Sequence, residues 1–544
     1  MKKVLTFLSL LMVIISCSVE KKQADLIVIN AKVYTVNDSF SLAESFAVAD
    51  GKFIAIGTST EIQDNYNAAE IIDFKGKAVY PGFFDAHCHF YGYGLNLQKA
   101  DLLGTKSFDE VVERVKQHAE NHTSEWIQGR GWDQNDWDVQ EFPTNEKLND
   151  AFPQQPVVLT RVDGHALIAN DEALKRAGIT IDSKVDGGKF IQKNGKLTGV
   201  LIDNAEELLM SALPKPDKTF QTNVLLDAQK ACFAVGLTTV DDAGLSKKTV
   251  ELIDELQKAD SLKIRIYAML SPDKDNLDHF VKNGPYKTGY LNVRSIKLYA
   301  DGALGSRGAC LLMAYSDDPG NHGFLVNTPE NLRDVCKLAF ENNYQINTHA
   351  IGDSANRLML KMYGEFLKGE NDKRWRIEHA QVLDPKDFGI FEQFSIVPSV
   401  QPTHATSDMY WADERLGTER IKYAYAYKTL LDQNGWIAAG SDFPVENINP
   451  LYGFYAAVAR MDFDNYPEGG FQMENAISRE QALKAMTIWA AKSNFEEHEK
   501  GSIEVGKFAD FVVLEKDIMT IDIKEVPIVQ VLKTFIGGEN VFDK

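Results

Sequence analysis

The chain has 544 residues, 44% of them hydrophobic and 25% charged, which allows a large core and more than one domain. A formal net charge of −20 excludes general binding to phosphate backbones, which needs clustered Lys and Arg. Nucleic acid is therefore not an expected partner, while the overall charge leaves the choice of small-molecule substrate open.

The N-terminus is the one clearly non-globular stretch. Lys2 and Lys3 precede an apolar run from Val4 to Ile15 that breaks at Ser16-Cys17. A basic segment followed by a short apolar one reads as an export signal, shorter than the roughly 20 residues a spanning helix needs. Ile14-Ile15-Ser16-Cys17 resembles a bacterial lipobox, which implies a signal peptide over residues 1–17, lipidation of Cys17 and a polar tether from Ser18 to Asp25. The alternative is an ordinary signal peptide cut nearby. The expectation is an exported protein on the periplasmic side of a bacterial membrane, held only by its lipid, with Ser18 favouring the outer membrane. Cys88, Cys232, Cys310 and Cys336 have neither scaffold nor metal spacing and read as small buried hydrophobes.

From Ala24 to about Val79, the runs LIVINAKVYTV, SFAVADGKFIAIG and AEIIDFKGKAVYPG are β-rich and bounded by Asn, Asp or Gly. Asp50-Gly51 between two apolar runs is a hairpin signal. The C-terminal end repeats this character in Phe511 to Leu514 and Val529 to Ile536. Residues 18–80 and 501–544 are therefore expected to form one small composite β-sandwich domain.

Residues 81–500 alternate short apolar strands with helix-period segments, the signature of parallel βα units. Candidate strands are Ala78 to Phe84, Leu237 to Asp241, Ile264 to Leu270, Val293 to Tyr299, Gln345 to Thr348, Trp375 to Ile377, Ile396 to Val400 and Trp436 to Ala439. Eight of them fit a (β/α)8 TIM-like barrel in the α/β class. The gap after the first is too long for one helix, so residues from about 95 to 215 read as an insertion, with a Trp-rich loop in GRGWDQNDW.

In such a barrel, function sits where strands end. The first candidate ends in Asp85-Ala86-His87-Cys88-His89, the fourth carries Lys297, the fifth ends at His349, the sixth at His379 and the eighth at Asp442. Alternation puts His87 and His89 on one side of a strand, where two imidazoles can meet one cation. Imidazole nitrogen with carboxylate oxygen suits Zn²⁺, and also Mn²⁺ or Fe²⁺. An HxH pair alone is weak evidence; His349, His379 and Asp442 at matching strand ends strengthen it.

A Lys inside a barrel mouth is costly as an unpaired ammonium, so Lys297 is expected to favour its neutral amine, which can take up CO₂ as a carbamate. Pairing with Asp301, or substrate binding, are the alternatives for Lys297. For Asp442 the alternative is a structural carboxylate holding a loop.

The order HxH, Lys, His, His, Asp resembles that of the amidohydrolase superfamily. The spans KLYADGALGSRGA, HAIGDSAN, RIEHAQ and GSDFPVE look like its YtcJ-like branch, which includes N-substituted formamide deformylases. The run from Gly501 to Asp510 resembles the family's C-terminal GxIxxGxxAD signature. The resemblance spans essentially all of the chain after the signal. It implies one or two divalent cations held by His87, His89, His349, His379 and Asp442, with carboxylated Lys297 bridging if there are two. It also implies Asp442 as the base that moves a proton from activated water to a leaving nitrogen. Trp132, Asp133, Arg161 and His165 look like the branch's substrate-facing loops. Arg307 is a candidate contact to a substrate carboxylate or carbonyl, and His404 a candidate to polarise the scissile carbonyl. His118, His122, His279, His322 and His498 lack partners in the text and read as surface residues.

The leading expectation is a hydrolase of amide or related C–N bonds in a small molecule, with a homodimer as the assembly common among lookalikes. Deamination, peptide cleavage and lactone hydrolysis fit the same site, because fold does not select the electrophile. A lipoprotein that binds metal or solute without turnover is the alternative of a different class.

Overall fold

The computed structural model describes residues 21–544 apart from 123, 162–165 and 186–187, with nothing said of the side chains at 203 and 204. The signal peptide and Cys17 lie outside these residues, as does His165. Among the described residues, no helix is long and apolar enough to cross a membrane.

Eight parallel strands form the centre: β1 (Phe83–Cys88), β2 (Leu237–Leu245), β3 (Arg265–Leu270), β4 (Leu291–Tyr299), β5 (Gln345–Ala350), β6 (Arg376–His379), β7 (Val397–Val400) and β8 (Ala438–Ala439). Each pairs with the next, from Leu237 opposite Phe83 round to Val400 opposite Ala439. The ladder of β8 is only two residues long, so the loop that follows it closes the ring. The Asp442 amide donates to the His87 carbonyl at 2.7 Å, and the His89 amide to the Phe443 carbonyl at 2.8 Å. The result is a TIM-like barrel.

Helices cover the barrel because their apolar faces match the outward side chains of the strands. In the helix Pro329–Glu341, the Thr328 side chain caps the start and Leu332, Val335, Cys336 and Ala339 are buried at helical spacing. On β4, Ile296 and Leu298 join this outer core while Lys297 faces the axis. The interior is unusually polar. Arg376 is fully buried there and donates to the Asp241 carboxylate at 2.9 Å and the Ala86 carbonyl at 3.1 Å. Asn494 completes the network, accepting from Arg376 and donating to Asp241 at 2.6 Å. A buried guanidinium is tolerable only with such partners.

The strand expected over Ala78 to Phe84 is two strands. Ala78–Pro81 pairs with Phe511–Leu514 outside the barrel, and Phe83–Cys88 is β1. The chain turns between them at Gly82, where a β-carbon would lie 2.2 Å from Thr238 Oγ1. Lys22–Ile29, Ser45–Ala49, Lys52–Gly57 and Tyr66–Asp73 form one sheet of the β-domain. The second takes Lys32–Tyr34, Leu42–Ala43 and Ala78–Pro81 from the N-terminal side, with Phe511–Leu514, Val531–Ile536 and Glu539–Asp543 from the other end. Val28, Phe46, Phe53, Phe511 and Phe535 pack between them. Asp50 and Gly51 adopt φ of 51° and 72°, the left-handed pair that a two-residue hairpin requires. Asp510 docks this domain on the barrel by a buried bidentate pair with Arg265 of β3, at 2.6 and 2.8 Å.

The insertion has its own sheet of six strands, from Ala100–Asp101 to Lys196–Asp203, and its own core around Val111, Ile127, Trp132, Leu159 and Ile168. Cys88, Cys232 and Cys336 are buried, whereas Cys310 is only half-buried; all four are free thiols.

Candidate metal centre

The site is assembled where β1 meets the loop after β8. Gly440 is needed there, since a β-carbon would lie 2.4 Å from the His87 amide nitrogen. Asp85 fastens the loop by accepting from the Ser441 amide at 3.0 Å and its hydroxyl at 2.5 Å. Asp442 then lies at φ 64°, a left-handed conformation that costs about 1–3 kcal/mol in a non-glycine residue. That turn aims its carboxylate at the histidines: Oδ1 is 3.3 Å from His89 Nε2 and 3.7 Å from His87 Nε2, and Oδ2 is 3.9 Å from His404 Nε2.

Two groups of three share this carboxylate: His87, His89 and Asp442, and His379, His404 and Asp442. Within each, one ligand atom per residue lies within 4.8 Å of the others. The His349 ring packs 4.5 Å from that of His379, but its Nε2 turns to the Gly302 carbonyl at 3.5 Å, so it stands beside these groups. His404, expected only to polarise a carbonyl, is instead among the convergent donors. It reaches them because Pro402 starts a helix, Pro402–Asp408, immediately after β7.

Partners behind the rings set the tautomers. His89 Nδ1–H donates to the Ala243 carbonyl at 3.1 Å, and Glu378 Oε2 lies 2.8 Å from His87 Nδ1 as an ion-pair contact without hydrogen-bond geometry. In that tautomer His89 turns an Nε2 lone pair toward Asp442, and a neutral His87 with its proton on Nδ1 does the same. His379 Nδ1, His404 Nε2 and Asp442 Oδ1 are buried without a hydrogen-bond partner among the described residues. Each such orphan costs about 1–3 kcal/mol, and acceptors facing one another at this range are what a cation reconciles. The nitrogen and carboxylate donors present fit a divalent ion such as Zn²⁺.

Glu378 was not among the residues expected to matter. On a regular strand it points away from its neighbour His379, yet His379 and Ala380 adopt φ of 73° and 43°. The pleat ends there, so both side chains serve the same centre. A carboxylate beside a ligating His is a common device for fixing ring orientation; the Glu-His adjacency in RIEHAQ was the available signal.

Burial lowers the His87 and His379 imidazoles below their ordinary value and takes His349 down to about 3, with Lys297 adding to each. Burial also lowers Lys297 to about 8, against the pull of Glu378 and Asp442. Its Nζ lies 2.9 Å from His87 Nε2. Pairing of Lys297 with Asp301 is not found, since Asp301 accepts from the amides of Cys310, Ile351 and Gly352 at 2.8–3.0 Å. Burial pushes Asp442 up, but the His89, His87 and His404 rings, where protonated, outweigh it and hold the carboxyl well below the usual range.

The other substrate-binding candidates are held in local contacts. Trp132 has no exposed surface; it is a core residue of the insertion, with its indole N–H on the Leu159 carbonyl at 2.8 Å. Its apolar bulk is better satisfied in that core than in a solvated mouth. Asp133 caps the short turn at Gln134–Asp136 and pairs with Arg161, which also donates to Gln134 at 2.9 Å. Arg307 is spent on Asp317 at 2.8 Å, a carboxylate shared with Arg415.

Comparison with known proteins gives a consistent picture. The amidohydrolase family matches residues 70–542. YtcJ of Bacillus subtilis (strain 168) is 31% identical over 520 residues, which cover 94% of this chain and 98% of that protein. The N-substituted formamide deformylase of Arthrobacter pascens is 27% identical over 543 residues, covering 94% and 97% of the two chains. Among solved structures, an uncharacterized metal-dependent hydrolase from Pyrococcus horikoshii OT3 superposes with a TM-score of 0.77 at 27% identity, over 92% of this chain and 99% of its own.

Proposed function

The chain belongs to the amidohydrolase family and is a metal-dependent hydrolase of carbon–nitrogen bonds, and on that premise we propose that it hydrolyses an amide of a small molecule with Asp442 as base. An N-substituted formamide is the substrate class to try first, from the likeness to the Arthrobacter pascens deformylase. The observation that carries the reading is the convergence of His87, His89, His379 and His404 on the single Asp442 carboxylate.

His87, His89, His379, His404 and Asp442 would hold the cation, with His349 alongside, and zinc is the ion their donors favour. When bound, the cation supplies Lewis acidity, polarising a carbonyl and lowering the pKa of water toward neutrality. Asp442 presents a carboxylate oxygen at the centre of the cluster, which would take a proton from water and pass it to the leaving nitrogen. Glu378 and Ala243 keep the His87 and His89 rings oriented through their Nδ1 atoms. Lys297, depressed to about 8, is neutral in roughly a tenth of molecules at pH 7. Its Nζ can bond to the carbon of CO₂ and release a proton, leaving an anionic carbamate as a further ligand. That modification would give a carbamate resonance from isotope-labelled CO₂ that Lys297→Met abolishes.

The decisive experiment is hydrolysis of an amide panel by zinc-loaded protein, with Asp442→Asn as the control. Loss of the base lowers kcat by about 10²–10⁴-fold. A wild type no faster than Asp442→Asn on every substrate would refute the reading.

A further inference from the structure

The pleat of β4 turns Lys297 and Tyr299 to the same side. Lys297 Nζ lies 4.9 Å from the centroid of the Tyr299 ring, and that ring lies 5.6 Å from the ring of His349. The side chain then reaches across the barrel mouth. Its hydroxyl lies 3.6 Å from where a β-carbon on Gly244 would stand, near the end of β2, so it spans the end of the intervening β3.

Tyr299 is 38% exposed although Lys297 and Leu298 before it are buried. Other tyrosines around the barrel have occupied phenols: Tyr267 donates to Gln345 at 2.8 Å, Tyr425 to Asp408 at 2.7 Å and Tyr427 to the Gln401 carbonyl at 2.9 Å. Among the described residues, the Tyr299 hydroxyl has no hydrogen-bond partner. It is thus a donor left available, on a ring packed against the histidine cluster, facing water through the mouth. A donor placed there before the substrate arrives needs no reorganisation to meet charge on an oxygen.

We propose that Tyr299 is a substrate-contacting residue, its phenol donating a hydrogen bond to the carbonyl oxygen of the amide while its ring shields Lys297. The assignment rests on the reading of the cluster as a hydrolytic centre, and its test separates the two. Benzohydroxamic acid, which offers a carbonyl oxygen beside a zinc-chelating N–OH group, is titrated into zinc-loaded wild type and Tyr299→Phe. Zinc content and thermal midpoint are measured on the same samples. The variant should match the wild type in both and bind the hydroxamate about tenfold more weakly, the scale of one hydrogen bond. On any amide that is turned over, kcat should fall by at least as much. If no amide is hydrolysed but the loss of hydroxamate affinity is seen, the amidase reading fails and Tyr299 stands as a donor to a carbonyl oxygen bound at the centre. Hydroxamate affinities equal within twofold, or no binding by the wild type, overturn the assignment.

Discussion

Glu378→Gln isolates what the carboxylate behind His87 does. Glu378 is fully buried, with Oε2 2.8 Å from His87 Nδ1 and Oε1 3.9 Å from Arg376. Burial alone would neutralise it, but His87, Arg376 and Lys297 together hold it below the ordinary carboxylate range, so it is an anion at working pH. The substitution preserves volume and one acceptor oxygen while removing the charge that strengthens the His87 lone pair. Arg376 keeps its closer counter-ion, Asp241 at 2.9 Å, so the metal-free fold should change little. Changes of this kind behind a ligating His cost about 10–100-fold in metal affinity, or about 1.4–2.7 kcal/mol. Competition against a chromogenic zinc chelator gives the dissociation constant directly, and urea unfolding of the chelator-treated protein gives the stability control. Zinc affinity within twofold of wild type would refute the role assigned to Glu378.

The metal-free protein should weaken in acid. His349 falls to about 3 in the folded chain against 6.5 for the free side chain, so only the unfolded chain protonates between those values. Its contribution is complete above about 6.5 and is lost as pH drops toward 3. A urea midpoint that stays constant from pH 7 to pH 5 in chelator-treated protein would contradict this. Asp510→Ala leaves the buried Arg265 without its bidentate partner and should cost about 3–5 kcal/mol in urea unfolding; a loss under about 1 kcal/mol would show that solvent reaches the guanidinium. In a bacterial host, Cys17→Ser should move the protein from the membrane fraction to the soluble one, and unchanged fractionation would rule out the lipid anchor.

The parallel barrel was legible because each strand is a short apolar run between turn residues, and each helix repeats its apolar positions at its own period. These are local patterns, and six of the eight barrel strands fall within the runs that carry them or overlap them by most of their length; β6 shares only Arg376 and Ile377 with its run, and β1 only Phe83 and Phe84. The boundary at Gly82 was not legible, since nothing in AVYPGFF distinguishes one bent strand from two; only the contact with Thr238 does. Trp132 shows the opposite error: a Trp-rich loop reads as a binding surface until the insertion folds and encloses the indole.

The same division runs through the site. The candidate donors His87, His89, His379 and Asp442 were legible in the strand-end motifs, because metal chemistry restricts residue types. How they converge was not. Closure of the barrel by the loop after β8 brings Asp442 beside His87, from the far end of the chain. The left-handed backbone at His379 turns Glu378 to the same centre, and the helix after β7 adds His404. Period-two reasoning fails at such places because it describes a strand that continues, whereas these residues sit where strands stop. Local sequence thus determined the elements and the chemistry available to them; ring closure and the backbone forced by it decided which atoms face one another.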